Sequence, residues 1–272
     1  MLIYVHIPKT AGSTMRSLFK RNFGRRFFGF YTDRRGEFLT DEELIHLVRQ
    51  SYPAKEVISG HDIRPLQEKS VQGIDLRYVT FIRHPFSRAI SLYYFEKKHS
   101  VGSHISQKSF KEYVRHRPDH DKAISNWQAF NISSKGTFEH AKELLDDFLM
   151  VGLVEMFDLS LILLQEFLGG DYFKYIGHTI QNVSKSKQYF ISNLPENIQE
   201  ELTYLNQEDL KLYEYARKRL EDDLKKISNV EDKLRRLQEA KRKARLYSRL
   251  LSPFALSGNF LNKVLYKMAR KA

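Results

Sequence analysis

The chain has 272 residues, 42% of them hydrophobic, with 19 Phe, 15 Tyr and a formal net charge of +12. This length and composition suit one α/β domain with additions, and they exclude a disordered chain. The lack of cysteine in the sequence excludes disulfides, iron–sulfur clusters and cysteine-based zinc sites. No apolar run reaches the roughly 18–20 residues that span a bilayer, and the sequence opens directly on an apolar strand, so we expect a cytoplasmic protein.

Segments rich in β-branched and aromatic residues alternate along the chain with amphipathic segments. Strands are predicted at 2–7, 56–61, 76–83 and 148–155, and helices at 14–23, 40–52, 85–97, 109–116, 125–132 and 158–170. A polar, basic connector at 177–190 precedes two further helical patterns within 195–227. This alternation predicts a mainly parallel sheet with helices on both faces, and such folds bind ligands beyond the carboxyl ends of their strands.

The first strand leads into the segment PKTAGST at 8–14, which has the composition of an anion-binding turn. Gly12 would let the backbone approach an anion, Lys9 would supply positive charge, and the following helix would supply free N–H groups. The hydroxyl groups at hand are those of Thr10, Ser13 and Thr14. The standard phosphate loop places its lysine after the second glycine, whereas Lys9 precedes the only glycine here. The alternative is a plain capped turn, which needs no lysine.

The strand at 76–83 ends in Arg83, and Ser91 lies about two turns into the helix that follows. An arginine at a strand end and a serine on the inward helix face could hold one phosphate together. The alternative is a structural pair of Arg83 with a carboxylate, with Ser91 bonded to its own helix backbone.

Together, these two segments resemble the phosphate-binding segments of the sulfotransferases that use 3′-phosphoadenosine 5′-phosphosulfate (PAPS). The similarity is to the carbohydrate branch that includes heparan sulfate 2-O-sulfotransferase and bacterial relatives, and weaker similarities extend it over roughly 1–220. The resemblance implies a P-loop-like α/β sulfotransferase fold, with a central parallel sheet flanked by helices, and a reaction without a metal. It implies that the 5′-phosphosulfate is bound by Lys9, Thr10, Ala11, Gly12, Ser13 and Thr14, and the 3′-phosphate by Arg83 and Ser91. Lys9 would also stabilise the charge on the leaving phosphate oxygen.

The strand at 56–61 ends in Gly60-His61, where the resembled branch has its catalytic base. A neutral imidazole is well matched to the removal of a hydroxyl proton near pH 7. The alternative for His61 is a histidine that is satisfied at a strand end. Other sulfotransferases use a glutamate as the base, so Glu68 and Glu96 are kept as reserves.

Further site residues are expected from the resemblance and from charge. Ser184 and Lys185 lie where related enzymes close a segment over the nucleotide, although an ordinary basic surface loop remains the alternative. If the acceptor is an acidic carbohydrate, its cleft should be basic, and the predicted contributors are Arg64, Arg88, Lys97 and Lys98. His116 and His120 are expected in a solvated loop, because Pro118 disfavours a helix there. The predicted acceptor is a polysaccharide or a glycolipid.

Most of the positive charge lies in a predicted basic helical tail, 231–272, which follows a sulfotransferase domain at 1–230. The tail carries 12 Lys and Arg against three Asp and Glu, a net charge of +9 out of +12. It could bind an anionic membrane surface, contact a polyanion or form solvated helices. We do not expect nucleic acid as a partner, because the main domain is nearly neutral.

Two other functions are weighed. A nucleotide-dependent kinase would need a lysine after Gly12 and a magnesium-binding aspartate at the strand end, where Ser13 and Arg83 stand instead. A non-catalytic polyanion- or membrane-binding protein would depend on its tail. An enzyme is expected to keep nucleotide binding when 231–272 is deleted.

Overall fold

A computed structural model describes residues 1–30, 37–99, 107–115, 121–178, 191 and 194–251 of the protein. Within these ranges, the side chains of 121–122 and 243–251 are left undescribed. The predicted contacts Ser184 and Lys185, the histidines His116 and His120, and the tail after 251 lie outside the described residues.

Five strands form one parallel sheet, and two short strands form a separate antiparallel pair. The sheet strands are β1 (Leu2–Val5), β2 (Phe27–Gly29), β3 (Val57–Gly60), β6 (Arg77–Ile82) and β7 (Met150–Leu153), and the pair is β4 (Ser70–Val71) and β5 (Ile74–Asp75). The order across the sheet is β2-β3-β1-β6-β7. Every residue of β1, β3 and β7 is buried, as expected for a parallel sheet that is covered on both faces.

Helices cover the sheet and extend the domain. They are α1 (Gly12–Phe23), α2 (Asp41–Ser51), α3 (Pro85–His99), α4 (Phe110–Arg115), α5 (Asp121–Ile124), α6 (Trp127–Ile132), α7 (Phe138–Asp146), α8 (Phe157–Leu168), α9 (Glu196–Leu205), α10 (Gln207–Lys225) and α11 (Val230–Leu251). A capping box starts α2: Glu43 N donates to the Thr40 hydroxyl, and Thr40 N donates to the Glu43 carboxylate. The α/β fold with a central parallel sheet flanked by helices is confirmed.

The chain reverses its direction of travel across the sheet between β1 and β6. After β1 it passes through α1 to β2 at one edge, and after β6 it passes through α3 towards β7 at the other edge. The loops that follow β1 and β6 therefore diverge and leave a crevice at their carboxyl ends, which is where open α/β sheets bind ligands.

The last described helix, α11, begins at Val230, one residue before the predicted tail. Leu237 on this helix is 4% exposed, and Lys233 forms an ion pair of 2.7 Å with Glu166 on α8. The first turns of the predicted tail thus pack against α8. Among the described helices, none is long and apolar enough to cross a membrane.

Candidate active site

The turn after β1 is held by its own hydrogen bonds in an unusual backbone conformation. Lys9 (φ 72°) and Ala11 (φ 65°) both lie in the left-handed region, although neither is glycine. Non-glycine residues in this region cost on the order of 1–3 kcal/mol each and cluster at functional sites. The Thr10 hydroxyl donates to the carbonyl oxygen of Ile7 (2.8 Å). Thr10 is fully buried, so its hydroxyl closes the turn instead of facing a ligand.

Helix α1 begins at Gly12, directly after this turn. The residue at its N-cap, Ala11, has no side-chain acceptor, so no residue at that position competes with an anion for the N–H groups of the first turn. A Cβ atom at Gly12 would lie 1.3 Å from Nε2 of His6. The glycine is therefore required by the close packing of His6 beneath the turn, a reason that the sequence did not reveal.

Lys9 and Arg83 meet in the crevice between β1 and β6. Nη1 of Arg83 donates to the carbonyl oxygen of Lys9 (3.1 Å), and Nζ of Lys9 lies 4.0 Å from the centroid of the Phe95 ring. Burial and the charge of Arg83 lower the pKa of Lys9 to about 8, against an opposing effect of Glu96. Burial also lowers the pKa of Arg83, against an opposing effect of Glu155. The fold thus holds two cations together in a partly buried site.

Ser91 lies on the side of α3 that faces this crevice. It precedes Phe95 by four residues, so the two side chains share one face of the helix, and Phe95 contacts the ammonium of Lys9. The structure therefore places three of the predicted phosphate contacts at the same edge of the sheet: Lys9, Arg83 and Ser91.

The backbone of Arg83 is fixed by a buried glutamine. Nε2 of Gln128 donates to the carbonyl oxygen of Arg83 (2.8 Å), and the backbone N–H of Arg83 donates to Oε1 of Gln128 (2.9 Å). Gln128 is fully buried. These two bonds use both polar groups of the amide and hold the end of β6 in one orientation.

Gln128 is fixed in turn by reciprocal capping of two helices. The N–H groups of Gln128 and Ala129 in α6 donate to the carboxylate of Asp209 (3.0 and 2.8 Å). The N–H groups of Glu208 and Asp209 in α10 donate to the side-chain oxygen of Asn126 (2.9 and 3.2 Å). Burial raises the pKa of Asp209. Asn and Asp before or within a helix start are capping residues, and that signal at positions 126 and 209 could have revealed this support, which sequence reasoning missed.

His61 directly follows β3, which lies next to β1 on the side opposite β6 and Arg83. Its Nδ1 is 2.9 Å from the carbonyl oxygen of His6, and the two rings stack with their centroids 3.9 Å apart. Because a carbonyl oxygen only accepts, Nδ1 of His61 carries the proton and Nε2 is the basic nitrogen. Burial lowers the pKa of His61, opposed by the hydrogen bond to His6 and by Asp62. Burial lowers the pKa of His6 well below its usual value. The lowered pKa keeps the imidazole of His61 neutral at pH 7.

The reserve bases differ in their location. Glu68 is exposed and adjoins Lys69, whose carbonyl oxygen accepts a hydrogen bond from the residue preceding β6 (2.8 Å). Glu68 therefore lies at the amino end of the sheet, opposite the crevice. Glu96 accepts a hydrogen bond from the hydroxyl of Tyr113 (2.8 Å) and raises the pKa of Lys9, so it lies near the crevice.

Two of the four residues predicted to contact the acceptor, Arg88 and Arg64, donate hydrogen bonds to backbone carbonyl groups of the chain itself. Arg88 is fully buried, and its guanidinium donates to the carbonyl oxygen of Ala123 (2.5 Å). This burial is at odds with acceptor contact by Arg88, because the side chain has no surface for a polymer to meet. The guanidinium of Arg64 lies 3.6 Å from the centroid of the Phe38 ring and donates to the carbonyl oxygen of Phe130 (3.2 and 2.9 Å). Burial lowers the pKa of Arg64 to about 10.

The other two predicted acceptor contacts lie at the end of α3. Nζ of Lys97 donates to the hydroxyl of Tyr93 (2.9 Å) and to the carbonyl oxygen of Lys108 (3.3 Å). Lys98 is exposed. Lys97 thus ties α3 to the segment before α4, whereas Lys98 presents its charge to solvent.

A cavity of about 440 Å³ lies on the β7 side of the turn. Its lining residues are Ala11, Thr14, Val154, Glu155, Met156, Phe157, Asp158, Leu159, His178, Leu234, Gln238 and Lys241. The first two belong to the turn and α1, the middle group follows β7 and begins α8, and the last three belong to α11. This cavity was not predicted, because its walls come from four distant parts of the chain.

A parallel sheet with an anion-type turn after its central strand and a cation at the neighbouring strand end is an arrangement typical of α/β proteins that bind phosphorylated ligands. The model of the sulfotransferase family matches residues 1–216, and the chain belongs to the sulfotransferase family. An uncharacterised protein of Archaeoglobus fulgidus is 25% identical over 244 residues, which cover 79% of this chain and 94% of that protein. Family membership supports sulfuryl transfer as the reaction. The kinase and the non-catalytic binding protein are not favoured.

Proposed function

We propose that the protein transfers the sulfuryl group of PAPS to a hydroxyl group of a carbohydrate acceptor. The observation that carries this proposal is the hydrogen bond between Arg83 and the carbonyl oxygen of Lys9 (3.1 Å), which brings two cations together. Burial lowers the pKa of Lys9, and the charge of Arg83 lowers it further, because like charges in a partly buried site repel each other. A ligand with one anionic group for each cation would offset this repulsion.

The two phosphate-bearing ends of the donor fit the two sides of the crevice. Nε of Arg83 is buried without a hydrogen-bond partner among the described residues, and a 3′-phosphate oxygen would satisfy it. Ser91, on the crevice face of α3, would donate its hydroxyl to the same phosphate. The 5′-phosphosulfate would lie on the N–H groups of the first turn of α1, next to Lys9.

The adenosine of the donor fits the cavity beside the turn. The cavity shares Ala11 and Thr14 with the turn, and its remaining walls include apolar side chains such as Phe157 and Leu234. A planar base would bury its faces against such side chains, while the sugar phosphates remain at the strand ends. A pocket of about 440 Å³ falls in the usual range of roughly 300–1,000 Å³ for a nucleotide-sized ligand.

In the proposed reaction, His61 removes a proton and Lys9 stabilises the leaving group. The acceptor oxygen attacks sulfur while Nε2 of His61 takes the hydroxyl proton. The new S–O bond forms as the bond from sulfur to the 5′-phosphate oxygen breaks, and 3′-phosphoadenosine 5′-phosphate leaves with the bonding electrons. Lys9 stabilises the charge that grows on the leaving oxygen. The proton taken up by His61 is then released to solvent, which accounts for the acceptor's proton and restores the neutral imidazole.

The acceptor is proposed to be a polysaccharide or a glycolipid. This proposal is supported by the similarity of the two phosphate-binding segments and of Gly60-His61 to the carbohydrate branch. Among the predicted acceptor contacts, exposed Lys98 offers the most accessible charge for an acidic sugar.

Calorimetry tests the proposed donor. We expect 3′-phosphoadenosine 5′-phosphate to bind the wild-type protein more tightly than ADP or ATP, because neither of these carries a 3′-phosphate. Arg83→Ala should lower its affinity at least about a hundredfold, since a charge-assisted bidentate contact is lost. Arg77→Ala, at the opposite end of the same strand, is the matched control and should leave affinity unchanged. Equal or tighter binding of ATP would overturn the proposal.

A further inference from the structure

Helix α11 supplies one wall of the cavity, although it lies beyond residues 1–216 that match the family model. Leu234, Gln238 and Lys241 line the cavity from this helix. Their spacing of four and three residues places them on one face of the helix. The opposite wall belongs to the start of α8 and to the turn after β1.

An ion pair holds this wall in place at the cavity edge. Nζ of Lys241 lies 2.7 Å from both carboxylate oxygens of Asp158, in the first turn of α8. The two side chains are only 13% and 24% exposed. Nε2 of His178 lies 3.5 Å from the same carboxylate, so three ionisable groups meet where α11 closes the cavity. Such a partly buried pair is screened less by solvent than a surface pair.

Among the three residues of α11 that line the cavity, Gln238 offers a neutral polar group to a ligand. Its neighbours in the wall are the apolar side chain of Leu234 and the ammonium of Lys241, which Asp158 already engages. A primary amide presents one acceptor and two donor hydrogens. This pattern matches the adjacent ring nitrogen and exocyclic amino group of adenine, and Gln makes the same bidentate contact to adenine in nucleic-acid recognition.

We propose that α11 completes the nucleotide site: Gln238 contacts the edge of the adenine base, and the Lys241–Asp158 ion pair positions the helix for this contact. The inference rests on the proposed function, because it takes the cavity as the place of the adenosine. It assigns base recognition to a segment that sequence reasoning treated as a detachable basic tail. It therefore reverses the expectation that loss of 231–272 leaves nucleotide binding intact.

The test measures by calorimetry the affinities of two bisphosphates that differ only in their base, 3′-phosphoadenosine 5′-phosphate and 3′-phosphouridine 5′-phosphate. Gln238→Ala should weaken the adenosine compound about tenfold and leave the uridine compound nearly unchanged, so that the preference for adenine falls. Lys241→Ala should also lower the preference for adenine, and Lys241→Arg, which keeps the ion pair, should retain it. All measurements use the full chain.

Lys233→Ala is the matched control. Lys233 pairs with Glu166 across the same two helices at the same distance of 2.7 Å, but it does not line the cavity. It should leave both affinities unchanged. Thermal melts of each variant check that the fold is retained.

The outcomes separate the two proposals. If the wild-type protein binds neither bisphosphate, the proposed donor is wrong, and the inference fails with it. If the wild-type protein binds the adenosine compound, and Gln238→Ala and Lys241→Ala bind it equally well, the inference alone is overturned. A loss in Lys233→Ala as large as that in Lys241→Ala would also overturn it, because the effect would then come from helix packing in general.

Discussion

The crevice, where the phosphates are proposed to bind, is called the phosphate side here, and the cavity, where adenine is proposed to bind, is called the base side. The two differ in how the chain builds them. On the phosphate side, the turn at 8–14 and the strand end at Arg83 each supply their groups within a few consecutive residues. On the base side, the cavity walls come from the turn, from 154–159, from His178 and from α11. One helix turn and one strand-end cation are enough to bind a phosphate, whereas a base needs apolar walls that only tertiary packing can assemble. Short continuous segments of the sequence therefore supply the phosphate side, whereas the base side needs residues that are far apart in the sequence.

We expect the largest effect on activity from replacement of His61, which should lower kcat without weakening nucleotide binding. His61→Ala should lower kcat by roughly 10²–10⁴-fold, because the acceptor hydroxyl loses its general base. The affinity for 3′-phosphoadenosine 5′-phosphate should stay within about twofold of the wild-type value, since His61 lies on the β3 side of the turn, away from the cavity. A transfer assay with calorimetry on the same samples checks both. If turnover survives, Glu96 is the next residue to replace.

Replacement of the loop lysine should have the next largest effect. Lys9→Ala should lower kcat about 10²–10³-fold, the usual cost of losing a group that stabilises developing negative charge. Steady-state kinetics at saturating donor measures this. Lys20→Ala, which removes an exposed lysine of α1 that has no proposed role, is the control and should keep the wild-type kcat. A comparable fall in both variants would contradict a specific role for Lys9.

Replacement of Gln128, which holds the backbone of Arg83, should have a smaller effect, and it should lower both the stability of the protein and its affinity for the nucleotide. Gln128→Leu removes two buried hydrogen bonds to the backbone of Arg83 and leaves both groups without that partner, at a cost of about 1–3 kcal/mol in the free energy of unfolding. Affinity for 3′-phosphoadenosine 5′-phosphate should fall about tenfold, the effect of roughly 1.4 kcal/mol. Denaturant unfolding and calorimetry measure the two quantities. Unchanged affinity in a destabilised variant would show that Gln128 supports the fold alone.

The dependence of activity on pH should have the smallest amplitude. Lys9 acts as a cation, and its pKa of about 8 means that kcat/KM should fall as the pH rises through 8. His61 is the proposed base, and burial lowers its pKa, so the acid limb should lie below the usual histidine value of about 6.5. Lys9→Arg should move the alkaline limb to higher pH, because a guanidinium keeps its charge. An alkaline limb that stays near 8 in this variant would assign it to another group.

Much of the fold and of the phosphate side could be predicted from the sequence. The four predicted strands are present with somewhat narrower bounds, because periodic apolar runs mark buried parallel strands well. The three-residue edge strand β2 and the helix α7 were not predicted. β2 includes Gly29 and is too short to show a period.

The contacts that sequence reasoning missed join residues that are distant in sequence. His6 stacks on His61, which is 55 residues away. Gln128 and Asp209 act through bonds across 45 and 81 residues. Lys241 meets Asp158 across 83 residues. Arg88 illustrates the opposite error, because a charge that appears suited to a cleft is fully buried in the interior.

The central claim is that Lys9 and Arg83 hold opposite ends of one doubly phosphorylated adenosine. A crystal structure with bound 3′-phosphoadenosine 5′-phosphate tests it most directly. We predict the 3′-phosphate within hydrogen-bond distance of Arg83 and Ser91, and the 5′-phosphate on the first turn of α1 beside Lys9. A nucleotide that leaves either cation without a phosphate contact, or that binds away from the edge of the sheet where β1 and β6 end, would contradict the claim.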